Sequence, residues 1–286
     1  MILTNVQLGP FRSINTPQNC TIDPKVTVLV GMNEAGKTVF LQGIHKACDA
    51  LDIEHYEVIE DYPRKDLTRY NKIHLENPEN AIKLTYMPEQ VELDIINKSH
   101  DTDLKFGFTY SISTKYNNTR LIDIYIDEKH IISKLLQSGN FTSDTAQLLK
   151  EATTIKKLVS ILDGLDLNES EQKTHEKLSA RIKYTNWDNI TQYEVFKSLD
   201  EYLPKTLYFS DYDILPGKLN IKDLARRHKL SESDPSQLTP NHKSILALLR
   251  MADVSIDELS DTDGYESLKA KIEGVSNSLT DQIMQF

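Results

Sequence analysis

Val26-Thr27-Val28-Leu29-Val30, running into Gly31-Met32-Asn33-Glu34-Ala35-Gly36-Lys37-Thr38, is the stretch on which the fold turns. The first five residues are a short β-rich apolar run, the pattern of a buried strand. The next eight match G-x-x-x-x-G-K-[ST], the Walker A pattern of a phosphate-binding loop. Residues 36–51 then place Val39, Phe40, Ile44, Ala47 and Leu51 at roughly helical spacing. Strand, loop and helix are the context the mechanism requires. The glycines let the backbone fold around phosphates and turn its N–H groups inward. The helix N-terminus adds a dipole that favours anions. Lys37 is placed to reach the β- and γ-phosphates, and the Thr38 hydroxyl is the candidate Mg²⁺ ligand. The pattern therefore predicts ATP with Mg²⁺, held by Gly31, Asn33, Glu34, Ala35, Gly36, Lys37, Thr38 and Val39. It assigns no catalytic residue, because hydrolysis also needs an acid that positions metal and water.

Outward from this stretch, residues 1–8 alternate weakly and read as a strand. Acids crowd 52–62, and positive charge takes over at Arg64, Lys65, Arg69 and Lys72, which reads as a solvated loop. Residues 81–130 read as β-structure: IKLTYM, VELDII, FGFTYSIST and RLIDIYID are rich in Ile, Thr, Tyr and Phe, and YNNTR at 116–120 supplies hairpin chemistry. A helical region follows over about 143–203, interrupted near Gly164 and Tyr184–Asn186. TLYFS at 206–210 reads as a short strand. Thr239 and Pro240 mark the cap and first position of a helix over 240–250. In 264–286, Tyr265, Leu268, Ile272, Val275, Leu279, Ile283 and Phe286 step by 3, 4, 3, 4, 4 and 3, one apolar stripe with Asp263 as its cap.

Composition limits the function classes. The chain has 286 residues, with 39% hydrophobic and 27% charged, as in globular proteins. No apolar run approaches the ~18 residues of a membrane span, and the start lacks a signal-peptide pattern, so a cytoplasmic location and no membrane partner are expected. Cys20 and Cys48 are too few for a disulfide framework or a zinc site. Lys and Arg total 33 against 43 Asp and Glu, a net charge of −10, which gives no support to DNA as a partner.

Other chemistry-bearing patterns are weak. Leu121-Ile122-Asp123-Ile124-Tyr125-Ile126-Asp127-Glu128 has the outline of a Walker B strand. Asp123 breaks its apolar run, and the alternation suits a half-exposed hairpin arm, so Asp127 and Glu128 read as a hairpin end. Ser210-Asp211-Tyr212-Asp213 after a strand has the form of a metal-dependent nuclease site, but Asp101-Thr102-Asp103 and Asp261-Thr262-Asp263 share its spacing. The eight histidines show no metal-ligand spacing.

The opening strand, Gly9-Pro10-Phe11-Arg12-Ser13 and VLVGMNEAGKT together resemble the N-terminus of RecF-, SMC- and OLD-like ATPases of the ABC class. Asp61-Tyr62-Pro63-Arg64-Lys65 with Arg69-Tyr70 is similar to a segment of bacterial ATP-binding proteins related to OLD nucleases. Leu207–Tyr212, Leu215-Pro216-Gly217, Leu246–Ala252, Tyr265–Leu268 and Ser276–Ile283 follow in the same order. The resemblance implies an ATPase head that dimerises around ATP and acts in DNA repair or phage defence, beside a partner ATPase half or an effector protein. It implies Arg12 as an arginine near the nucleotide, with Arg64 and Lys65 touching the nucleotide or bracing the loop. No L-S-G-G-like signature occurs before Phe286, so it further implies the N-terminal portion of a head, with hydrolysis needing elements outside this chain.

The expected fold is α/β: a P-loop NTPase with a mixed, β-rich ABC-type lobe over 1–132 and a mainly helical lobe over 133–286. Three functions compete: an ATPase half-head, a nucleotide-gated interaction module without intrinsic catalysis, and a self-contained P-loop kinase or GTPase. The β-rich 81–130 region and the lack of an N-K-x-D-like string disfavour the third.

Overall fold

The computed structural model describes residues 1–209, 215–262 and 264–283. Its strands are β1 (Ile2–Leu8), β2 (Gln18–Thr21), β3 (Asn80–Met87), β4 (Tyr110–Lys115) and β5 (Arg120–Asp123). The helices are α1 (Lys37–Cys48), α2 (Val58–Asp61), α3 (Leu67–Ile73), α4 (Gln90–His100), α5 (Lys129–Gln137), α6 (Ser143–Leu149), α7 (Ile155–Leu162), α8 (Glu169–Ile182) and α9 (Ile190–Asp200). They continue as α10 (Ile221–Ser231), α11 (Pro240–Met251), α12 (Ile256–Ser260) and α13 (Tyr265–Ile283). The architecture is mixed α/β around one five-stranded sheet of order β2-β1-β3-β4-β5. β1 pairs antiparallel with β2, with Val6 opposite Cys20. Asn118, in the left-handed region at φ 61, turns β4 into β5, as the YNNTR reading predicts.

The chain divides into two compact units, each assembled from separated segments. One comprises Met1–Thr4, Thr85–Ile112 and Ile122–Leu203; the other comprises Asn5–Leu84, Ser113–Leu121 and Pro204–Phe286. The boundary expected at 132 is not where the chain divides. In the first unit Leu149, Ile155, Leu158, Leu162 and Leu178 form the helical core. In the second, Leu224, Leu238, Leu246 and Ile256 form a satellite core among α10, α11 and α12.

Three readings of local structure are corrected. Residues 26–30 form no strand: the backbone is irregular there, and Val26, Val28 and Val30 are 62, 71 and 86% exposed. The predicted buried strand has composition on its side but no strand to pair with among the described residues. VELDII, read as a strand, is the first part of α4. Glu89 and Glu92 form a capping box, and Leu93 and Ile96 are buried at a three-residue step while Val91 stays exposed. Among the described residues of TLYFS, only Thr206 pairs, in an isolated parallel bridge to Asp49.

Other expectations hold. Thr239 caps α11 through the His242 amide, with Pro240 in the first turn. On α13, Val275 is buried and Ile272 is 45% exposed, so the apolar stripe is covered in part. Asp263, Phe286 and the Ser210–Asp213 group lie outside the described residues. Among the described residues no helix is long and apolar enough to cross a membrane.

Candidate functional site

The phosphate-loop pattern forms a compact turn that feeds directly into α1. Ala35 N donates to Met32 O at 3.2 Å, and Phe40 N donates to Gly36 O at 2.9 Å to open the helix. Gly36 sits at φ 89 and Glu34 at φ 65, both left-handed. A side chain at position 36 would be strained there, which is the physical reason for a glycine at the loop-to-helix junction. Lys37 bends back over the loop, and its Nζ donates to Gly31 O and Met32 O at 2.8 Å each. Its ammonium thus lies within the turn, with a third N–H left for a ligand oxygen. Thr38 is exposed, and its hydroxyl makes no hydrogen bond among the described residues. Gly31, Asn33, Glu34 and Ala35 are exposed and Val39 half-buried.

A cleft of about 430 Å³ adjoins the turn, walled by Ser13, Asn15, Gln18, Val30, Gly36 and Lys37 among others. The Ser13 Oγ lies 3.7 Å from where a side chain on Gly36 would begin, so the segment after β1 forms the facing wall. Sequence reasoning names Lys37 and the loop but not Asn15 or Gln18, which sit in a stretch with no pattern of its own.

Arg12 does not point into this cleft. Its Nε donates to Asp61 Oδ1 at 3.0 Å and its NH1 to Gln42 Oε1 at 2.6 Å. NH2 lies 3.0 Å from the same carboxylate. Asp61 is fully buried. Lys46 Nζ donates to Asp61 Oδ2 at 2.7 Å, and the Glu57 amide donates to the same oxygen at 3.0 Å. The arginine implied to sit near the nucleotide therefore ties the end of β1 to the middle of α1. Asp61 belongs to the acid-rich stretch read as a solvated loop, and burial with two cations corrects that reading. Around it Tyr56, Tyr62, Tyr70 and Tyr116 pack edge-on or tilted at 4.5 to 6.0 Å. Burial pushes the phenols of Tyr56, Tyr62 and Tyr116 well above the usual range, so all stay neutral. The side chains of Arg64 and Lys65 are exposed and join no hydrogen bond or ion pair among the described residues.

Glu128 is 1% exposed, and its carboxylate accepts from the Ile155 amide at 2.8 Å and the Thr191 amide at 2.9 Å. It anchors the first turns of α7 and α9. Asp127 accepts from the Lys129 amide at 2.9 Å. Both carboxylates are structural, as the hairpin-end reading has it, but β5 ends at Asp123 and they lie in the segment that leads into α5, with Glu128 as its cap.

The residues at the turn suit a Mg-nucleotide. Mg²⁺ is usually held by substrate phosphates, water and one or two protein oxygens, and the unbonded Thr38 hydroxyl can be one of these. No family model matches the chain, and no curated protein matches it.

Proposed function

We propose that this chain is the ATP-binding part of an ATPase head of the OLD- and SMC-like group. ATP binding would drive dimerisation or control of an effector protein in DNA repair or phage defence, and hydrolysis would need elements that residues 1–286 do not supply. The carrying observation is the turn at 31–36, which holds the Lys37 ammonium over its own carbonyls and runs without a break into α1. With phosphate bound, those N–H donors move to phosphate oxygens, the helix N-terminus faces the anion, and Thr38 faces Mg²⁺. A cytoplasmic location belongs to the same proposal. DNA stays a candidate partner through the resemblance alone, since the net charge of −10 does not favour it.

Lys37→Ala tests the reading. It should lower Mg-ATP affinity by at least about tenfold, the equivalent of one charge-assisted hydrogen bond of roughly 1.5 kcal/mol. The far-UV spectrum and melting point should be unchanged. Undiminished binding by the folded variant would overturn the proposal.

The second reading is a nucleotide-gated interaction module without catalysis. It gains support from Glu128 and Asp127, the chain's nearest approach to a Walker B ending, whose carboxylates are committed to backbone amides. Turnover of Mg-ATP above the Lys37→Ala blank, by this chain alone, would place the catalytic acid within residues 1–286 and remove this second reading.

A further inference from the structure

A second cleft, of about 240 Å³, lies between α11 and α1 with the residues that follow it. Arg12, Lys46 and Lys243 line it, three cations in a chain of net charge −10. Donors outnumber acceptors on its wall. Lys243 Nζ donates to Glu54 Oε1 at 2.9 Å, which leaves two of its N–H groups open. Lys46 has one to spare after His55 O and Asp61. The Gln42 side chain gives its oxygen to Arg12, and its nitrogen has no partner among the described residues. The acids are already engaged. Asp49 is 5% exposed, and its oxygens accept from the Leu51, Ile53 and Glu54 amides. Asp61, which serves Arg12 and Lys46, shows no surface at all. Of the acids here, Glu54 alone keeps an oxygen without a hydrogen bond among the described residues.

His45 adds an unsatisfied group to the same wall. Its Nδ1 is buried with no hydrogen-bond partner among the described residues, a rare condition for a buried polar atom. Its Nε2 stands 3.9 Å from Asp49 Oδ1, beyond hydrogen-bond reach. The ring stacks on Tyr208, with centroids 5.8 Å apart. Leu51, Ile53 and Leu207 join this pair, so one part of the wall is apolar and aromatic while another is cationic.

We propose that this cleft is a binding site, separate from the phosphate loop, for a phosphate monoester with a small aromatic body. A monoester carries close to two negative charges at neutral pH and three acceptor oxygens. That matches three cations with open N–H groups better than a carboxylate does, with its single charge and two oxygens. The apolar part of the wall takes the ring. A cavity of about 150 Å³ holds benzene, so 240 Å³ leaves room for the phosphate beside it. The inference does not rest on the reading of 31–38 as a phosphate loop.

Calorimetric titration of the full chain with phenyl phosphate, without ATP or Mg²⁺, tests it. Saturable binding with a Kd below about 1 mM is expected, and it should persist in Lys37→Ala, whose phosphate loop is disabled. Lys243→Met should weaken it by at least about tenfold. Glu54→Gln removes the opposing carboxylate and frees Lys243, and it should tighten binding by about fivefold. A residue that merely braces the fold would not improve binding when replaced, so this variant keeps the test open if Lys243→Met fails to fold. No binding at all, or binding lost in Lys37→Ala, would overturn the site. So would a folded Lys243→Met chain that binds undiminished, or a Glu54→Gln chain that binds no better. Inorganic phosphate or benzoate binding as tightly as phenyl phosphate would overturn the ligand class.

Discussion

Asp61 takes two charge-bearing hydrogen-bond partners and a backbone amide while showing no surface to water. A buried carboxylate persists only when its lone pairs are filled, and here Arg12, Lys46 and the Glu57 amide fill them. The consequence is mechanical: the end of β1, the middle of α1 and the turn before α2 are tied at one point. Removing the acid leaves two cations without it. Breaking a fully buried pair costs about 3–5 kcal/mol, and Arg12 is 32% exposed, so water recovers part of the loss. Asp61→Ala should therefore destabilise the chain by about 3 kcal/mol in urea titration at pH 7. A loss below about 1 kcal/mol would mean that the network is incidental to α1. Little of this was legible in the sequence. Asp61 stands among Asp52, Glu54, Glu57 and Glu60, and nothing in its spacing separates the one buried acid from its neighbours. Lys37 and Gly36 were legible because the chemistry of phosphate binding fixes both residue type and spacing.

At the scale of elements, α1 is the piece that carries the site, and its approach to β1 depends on one atom that is absent. A side chain begun at Gly43 would lie 2.6 Å from both methyls of Leu8, and Leu8 is fully buried with no room to retreat. The Gly43 carbonyl also accepts from Tyr56 Oη at 2.6 Å. Glycine inside a helix costs about 1 kcal/mol relative to alanine, so Gly43→Ala would stabilise an isolated α1. In the folded chain, overpacking against Leu8 costs about 1–3 kcal/mol, and the net effect should be destabilising. A thermal melt checks the sign: a higher melting point for Gly43→Ala would show that α1 does not sit against β1 as described. The helical spacing around Gly43 was readable, but close packing against Leu8 was not, because it depends on the register of two elements. VELDII shows the complementary failure. Val91, Leu93 and Ile95 satisfy a period of two as well as Leu93 and Ile96 satisfy a helical step. The capping pair Glu89 and Glu92 settles it, and an acid three residues before an acid carries little signal in so acidic a chain.

For the whole molecule, the two units are each drawn from three separated segments, so no linker composition marks a boundary, and a cut at 132 follows only from where β-rich sequence gives way to helical. The charge balance is likewise a property of the whole chain, and it sets the response to acid. Glu171 is buried at the start of α8. Its carboxylate is held down to about 2 from 4.5, chiefly by the Thr142 amide and then by the Asn168 amide. Asp223 is held to about 2 from 3.8 by Arg226 and Arg227, but that pair is solvated and contributes little to stability. A carboxyl whose folded pKa is depressed binds fewer protons folded than unfolded. Its stabilisation is therefore complete above the unfolded value and is lost as pH falls toward the folded one. For Glu171 the window runs from 4.5 down to about 2. Over the same range protonation of up to 43 carboxylates removes the negative charge that offsets 33 Lys and Arg, and self-repulsion destabilises any variant. The wild-type curve alone therefore does not isolate Glu171; the difference from Glu171→Gln does. The variant should be less stable at pH 7 by about 1–3 kcal/mol, since it weakens bonds to buried amides. The gap between the two proteins in urea midpoint should narrow steadily as pH drops through that window. Parallel curves down to pH 2 would show that Glu171 binds its proton equally well folded and unfolded, and that the start of α8 is held by contacts other than its charge.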